Sequence, residues 1–182
     1  MTNATTTTTT GAPRIHALAA VTDAQLQALS DVLIDCVEGG ASVSFMLPIT
    51  ADRAQAFWRH VAEGVARGER ALLVAEDAEG IVGTVQLVLA QPENQPHRAE
   101  VSKMLVHRRA RRQGIGELLM RAVEALARER GKTLLVLDTS SADAERLYAR
   151  TGWTQVGSIP GFALLPQGEP CATTFFYREL AA

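Results

Sequence analysis

The sequence predicts a mixed α/β (α+β) fold in which helices flank a central, twisted, mostly antiparallel sheet holding one parallel strand pair. Short runs of apolar alternation, the mark of strands, are interleaved with stretches of helical period. A hairpin-sized turn, Asp77-Ala78-Glu79-Gly80, joins two of those strands. One long amphipathic helix links the strand Arg98–Val106 to another over 133–139, and a helical crossover of that kind makes its two strands parallel neighbours.

Residues 14–18 alternate and form the first strand. Thr22 or Asp23 caps a helix with Leu26, Leu29, Leu33 and Val37 on one face, and Gly39-Gly40 ends it. Thr50 caps a second helix, with Ala54, Phe57, Trp58, Val61 and Val65 inward and Gly68 as its stop. Strands over 70–76 and 81–89 flank the hairpin turn. The long helix runs to Arg130, with Ile115, Leu118, Leu119, Val123 and Leu126 on its apolar face and Gly131 beyond its end. Glu117–Arg121 and Glu124–Arg128 are i,i+4 pairs expected on its wet face. The strand over 133–139 reads as buried on both faces. A short helix over 141–150 closes at Gly152, and strands over 153–157 and 173–180 complete the order.

The chain has 182 residues, enough for a sizeable core, and reads as one domain over 13–182 behind a disordered N-terminal tail over 1–12. A net charge of −2 gives no global attraction to nucleic acid or an anionic membrane. No apolar run approaches a membrane span, and the threonine tract over 5–10 lacks the basic and apolar regions of a secretory leader. Cys36 and Cys171 are the only cysteines, which reads as free thiols in the cytoplasm. His16, His60, His97 and His107 have no metal-ligand spacing, so no metal is expected.

The segment Arg111-Arg112-Gln113-Gly114-Ile115-Gly116 follows a strand and opens the long helix. The first amides of a helix have no internal partner, and the helix dipole favours negative charge there. Glycines let the backbone close on a ligand without a Cβ in the way. The segment therefore reads as a diphosphate cradle. A Walker loop is excluded because Glu117 and Leu118 stand where Lys and Ser/Thr are required. A dinucleotide fingerprint is excluded because position 119 is Leu119, not glycine. The basic run from His107 through Arg112 could pass for a nucleic-acid patch, but it carries no interleaved aromatics.

The Arg-x-x-Gly-x-Gly pattern of 111–116 resembles the acetyl-CoA loop of the GNAT acetyltransferase superfamily. The run from Ala144 through Leu147, Tyr148, Gly152 and Trp153 resembles that family's Ala-x-x-Leu-Tyr-x-x-x-Gly-Phe/Trp pattern, and the element order matches from first strand to last. The resemblance implies a sheet whose parallel strands splay apart, so that the backbone of Met104, Leu105 and Val106 pairs with the pantetheine arm. It implies that Arg111, Arg112, Gln113, Gly114, Ile115 and Gly116 hold the phosphates. Arg108 and Arg109 are either simply exposed or reach the ribose phosphate. The resemblance departs in two places. His107-Arg108 replaces a proline common in relatives, and Ser141 stands where many carry asparagine, so Ser141 caps the helix or contacts pantetheine without the usual amide.

The resemblance places Tyr148 at the sulfur of acetyl-CoA. A phenol with a pKa of about 10 can protonate a leaving thiolate and stays protonated at neutral pH; the alternative is a core tyrosine. An amine acceptor must lose a proton before attack, a cost of about 4 kcal/mol at pH 7. Glu100 and Asp138 are the candidate bases, unless Glu100 only pairs with Arg98 or Lys103 and Asp138 only caps the following helix. The cysteines have no histidine partner in the pattern, so direct transfer in a ternary complex is expected.

The stretches over 39–46, 98–101, 137–139 and 160–161 resemble the tabtoxin-resistance acetyltransferases, which act on a β-lactam amino-acid toxin. That resemblance implies an acceptor pocket at Ser42, Val43 and Phe45, a basic role for Glu100 and Asp138 and an acidic one for Tyr148. The alternative for 39–46 is a tight interhelix turn with Val43 and Phe45 in the core. The expectation is an acetyl-CoA-dependent N-acetyltransferase acting on a small-molecule amine, as monomer or homodimer, with no nucleic-acid or membrane partner. A protein amino group as acceptor, or a CoA-sensing module without turnover, are the alternatives.

Overall fold

Polar caps set where the helices begin. The Thr22 hydroxyl accepts a hydrogen bond from the Gln25 amide while the Gln25 side-chain oxygen accepts one from the Thr22 amide, a reciprocal box that starts α1 (Asp23–Glu38). Thr50 caps α2 (Ala51–Ala66) by accepting from the Arg53 amide. A computed structural model describes residues 12–181 of the chain; the predicted disordered tail lies, but for its last residue, outside the described residues. The remaining elements are β1 (Arg14–Ala17), β2 (Arg70–Asp77), β3 (Gly80–Val88), β4 (Arg98–Val106), α3 (Ile115–Glu129), β5 (Leu134–Thr139), α4 (Ala142–Arg150), β6 (Thr154–Leu164) and β7 (Pro170–Glu179).

The strands form one 7-stranded sheet in the order β1-β2-β3-β4-β5-β7-β6. Only β4 and β5 are parallel, as the crossover through α3 requires. One core cluster joins α3 to one face of the sheet through Leu119, Met120, Val123, Val85, Leu87 and Leu135. The other packs α1 and α2 on the opposite face through Leu29, Leu33, Trp58, Val61, Leu72 and Val74. Among the described residues no helix is long and apolar enough to cross a membrane.

Three expectations need correction. The strand expected over 153–157 is β6, which runs to Leu164; its side chains are nearly all exposed, so burial left no alternation to read. The strand over 173–180 is β7, which begins at Pro170 and pairs with β5 on one side and β6 on the other. β5 is not buried evenly on both faces: Leu135 and Leu137 are buried, Leu134 and Val136 only half. Glu124 is not on the wet face of α3. It is buried, accepts the Trp153 indole hydrogen bond at 2.9 Å and pairs with Arg178 at 3.1 Å, while Arg128 stays 4.0 Å away. Glu117 and Arg121 do form the expected exposed pair, at 2.7 Å.

Candidate active site

The parallel pairing of β4 and β5 covers Arg98↔Leu134, Ala99↔Leu135 and Glu100↔Val136 and goes no further. Beyond Glu100, β4 stays with β3 and β5 stays with β7, so the two strands part. A bulge in β4 bends it away. Thr84 faces Leu105 and Gln86 faces Ser102, which leaves one extra residue on the β4 side, where Lys103 takes a φ of 50°. The parting opens a cleft of about 1040 Å³.

The loop between β4 and α3 forms one wall. His107 starts a short 3₁₀ turn over Arg108–Ala110, and buried Ala110 anchors it. Gly114, with a φ of 79°, stands before α3 in the left-handed region where a side chain would be strained, and no side chain caps the helix, which leaves its first amides open. At Gly116 the missing Cβ serves packing as well as ligand approach: a Cβ there would come within 3.0 Å of Leu147. The basic side chains divide. Arg108 bonds Asp35 at 2.8 Å and Arg109 bonds Asp77 at 2.7 Å, so both pin the loop to neighbouring elements instead of standing free. Arg111 donates to the Val106 carbonyl at 3.0 Å and lines the cleft. Arg112 is 84% exposed and only 3.6 Å from the exposed Asp143, an ion pair weak enough to exchange for a ligand phosphate. Gln113 donates to the Arg109 carbonyl at 3.5 Å and, unlike the other predicted cradle residues, does not line the cleft.

The other end gathers the predicted chemical groups. Glu100, Asp138 and Tyr148 all line the cleft, with Met104, Leu105, Val106 and Ser141 between them and the loop. Arg98 is occupied by Gln91 and Gln95, and Lys103 by Ser44, so Glu100 has neither of the partners its sequence neighbours offered. The cap of α4 is Ser141, which accepts from the Ala144 amide at 3.4 Å, so Asp138 is not the cap. Instead Asp138 accepts from the Thr173 hydroxyl of β7 at 2.7 Å. Tyr148 is buried against Trp153 and Phe176, and burial, reinforced by the charge of Asp138, raises its pKa well above the ordinary phenol range. Tyr148 is thus both core and cleft, and it stays protonated at any working pH. Burial also pushes the Cys36 thiol up despite Arg111 beside it, which suits a packed thiol and not a nucleophile.

Ser42 and Val43 line the cleft, and so does buried Phe45, which stacks edge-on to Phe57 at 5.3 Å. The loop they belong to is tied across to the β6–β7 hairpin. Ser42 donates to the Leu164 carbonyl at 2.8 Å and the Leu47 amide to the Pro166 carbonyl at 3.0 Å. The segment thus packs Val43 and Phe45 against the core while also lining the cleft. Lys103 and Ser44 are cleft residues that reading the sequence for function passed over, since their approach depends on the β4 bulge.

An open strand side past Glu100, uncapped helix amides and the exposed Arg112 fit a ligand with an extended polar arm and a diphosphate. The acetyltransferase (GNAT) family model matches residues 41–153, more than half of the chain, and the chain belongs to that family. It is 32% identical over 110 residues to N-acetyltransferase 8B of Rattus norvegicus, a match covering 59% of this chain and 43% of that protein, so it spans less than half of that relative's length. The structure of ribosomal-protein-alanine N-acetyltransferase from Brucella melitensis is similar at a TM-score of 0.76 and 25% identity, over 92% of this chain and 99% of that one. The fold is also that of yncA from Salmonella typhimurium, solved with its cofactor acetyl-CoA, at a TM-score of 0.75 and 21% identity over 94% of this chain and 95% of that one. Acetyl-CoA is the cosubstrate of the family, and the cleft has the features that such a molecule needs.

Proposed function

We propose that the chain is an N-acetyltransferase moving an acetyl group from acetyl-CoA to a primary amine of a small molecule, with both substrates bound together. The observation that carries this reading is the parting of β4 and β5 beyond Glu100, which brings the open helix end, Tyr148 and two carboxylates into one cleft. Arg111, Arg112 and the first amides of α3 hold the phosphates, and the β4 backbone at Met104, Leu105 and Val106, past the end of the β5 pairing, receives the pantetheine arm. The thioester supplies an activated acyl carbon. The acceptor nitrogen bonds to that carbon and the carbon–sulfur bond breaks. Glu100 or Asp138, directly or through water, takes the proton the nitrogen loses, and Tyr148 gives one to the departing sulfur.

The ties from Ser42 and Leu47 to the β6–β7 hairpin support a small acceptor, because they hold together two segments that line that end of the cleft. A protein amino group, the acceptor that the Brucella relative's name carries, would need that end open. A β-lactam or amino-acid-like toxin, and with it toxin resistance, is supported by the resemblance of 39–46, 98–101, 137–139 and 160–161. The reading takes 13–182 as one domain at work in the cytoplasm, where Cys36 and Cys171 stay reduced; cell fractionation checks the location. Calorimetric titration with acetyl-CoA should show binding, and adding small amines should release the CoA thiol. No binding sinks the reading. Thiol release with peptide N-termini and with no small amine moves it to a protein acceptor.

A further inference from the structure

The described residues contain three non-glycine positions at positive φ: Ser44 at 77°, Lys103 at 50° and Arg112 at 62°. All three line the same cleft, and backbone strain of this kind is retained where surrounding structure holds it for a purpose. Arg112 belongs to the phosphate loop. Ser44 and Lys103 belong to the other end, come from segments far apart in the chain and meet there, with the Lys103 ammonium donating to the Ser44 hydroxyl at 3.1 Å. The Phe57 ring lies 6.0 Å from the same ammonium.

This cation is not used up by the nearby anions. Its hydrogen bond goes to Ser44, and Asp138 takes its own from Thr173. Among the described residues no ion pair joins Lys103 to Glu100 or Asp138, although both carboxylates are close enough for their charge to act on it. That end of the cleft therefore holds the Lys103 ammonium and the Glu100 and Asp138 carboxylates with no ion pair among them, each with unfilled hydrogen-bonding capacity. A simple amine entering it would leave the Lys103 ammonium without an anion in hydrogen-bond contact. A molecule carrying both an amine and a carboxylate would satisfy both signs at once.

We propose that Lys103, positioned by Ser44, binds the carboxylate of an amino acid whose amine is presented to Glu100 and Asp138, so that the acceptor class is free amino acids. This rests on the transferase reading above and narrows its substrate. Burial lowers the pKa of the Lys103 ammonium, against the pull of Asp138 and Glu100, so an added anion has desolvated charge to neutralise. The serine hydroxyl is free to turn its own hydrogen toward that anion.

The test is thiol release from acetyl-CoA with a panel of free L-amino acids, each assayed beside its carboxamide and its decarboxylated amine. In the wild-type protein the acids should exceed both counterparts in kcat/KM by about tenfold or more, as expected for one charge-assisted hydrogen bond. Lys103→Met should collapse that ratio toward one through KM, Lys103→Arg should restore most of it, and acetyl-CoA affinity measured by titration should stay within about threefold. The inference is overturned if amides or plain amines match the acids, if no amino acid is accepted, or if K103M keeps the preference. A wild-type protein that binds acetyl-CoA and acetylates plain amines alone sinks only the carboxylate anchor, whereas one that fails to bind acetyl-CoA sinks the transferase reading as well.

Discussion

The two ends of the cleft are built on different plans. The end proposed for the phosphates is one continuous stretch, Arg111 to Gly116, whose features are local: a left-handed glycine, an uncapped helix and adjacent cations. The end proposed for the acceptor is assembled from separate segments: Ser44 from the α1–α2 loop, Glu100 and Lys103 from β4, Asp138 from β5 and Thr173 from β7. A continuous site tolerates change around it, because helix geometry alone aims its amides. An assembled site depends on register, and here a single extra residue in β4 sets which groups meet.

Tyr148 joins the two ends and gives the largest expected effect. Tyr148→Phe should lower kcat by about 10²–10⁴-fold, the usual worth of a positioned acid, with acetyl-CoA affinity within about threefold. Stopped-flow turnover together with titration checks it, and wild-type turnover would break the proposed division of labour. Next come the carboxylates. Glu100→Gln and Asp138→Asn should each cost about tenfold or more, mainly at lower pH, where the amine carries its proton and a base has most to do. A pH–rate profile unchanged in shape and height would remove the base role.

At the phosphate end the arginines should separate. Replacing Arg111 and Arg112 together by alanine should weaken acetyl-CoA binding by about tenfold or more and flatten its salt dependence. Replacing Arg108 or Arg109 should lower thermal stability while leaving that salt dependence in place, because these side chains are spent on Asp35 and Asp77. The smallest effect concerns the loop anchor. Burial opposes the Asp35 carboxylate, yet the Arg108 amide and guanidinium, with His107, outweigh it and hold its pKa below the ordinary 3.8. A depressed carboxylate contributes stability above its unfolded pKa and loses it as pH falls through the folded one. Asp35→Asn should therefore lower the melting temperature at pH 7, with a difference that shrinks below about pH 4. An equal difference at every pH would mean that packing, not charge, accounts for it.

By itself the sequence determined the element order, the parallel pair implied by the crossover through α3, the cap at Thr50 and the glycine loop that opens α3, while it left the first cap between Thr22 and Asp23; caps and loops are encoded by neighbours within a few residues. The motif around Tyr148 and the candidates Glu100 and Asp138 were legible in the same way, as residue types at fixed offsets along one strand or helix. Only the tertiary structure decided which arginines are free, since Asp35 and Asp77 lie far from the loop in sequence. It also decided that Glu124 is buried against Trp153, that β6 is the long outer strand and that Lys103 meets Ser44. These outcomes depend on long-range register and on a bulge whose only mark in the sequence is an ordinary lysine, and pairing between distant segments leaves no periodic trace in either of them.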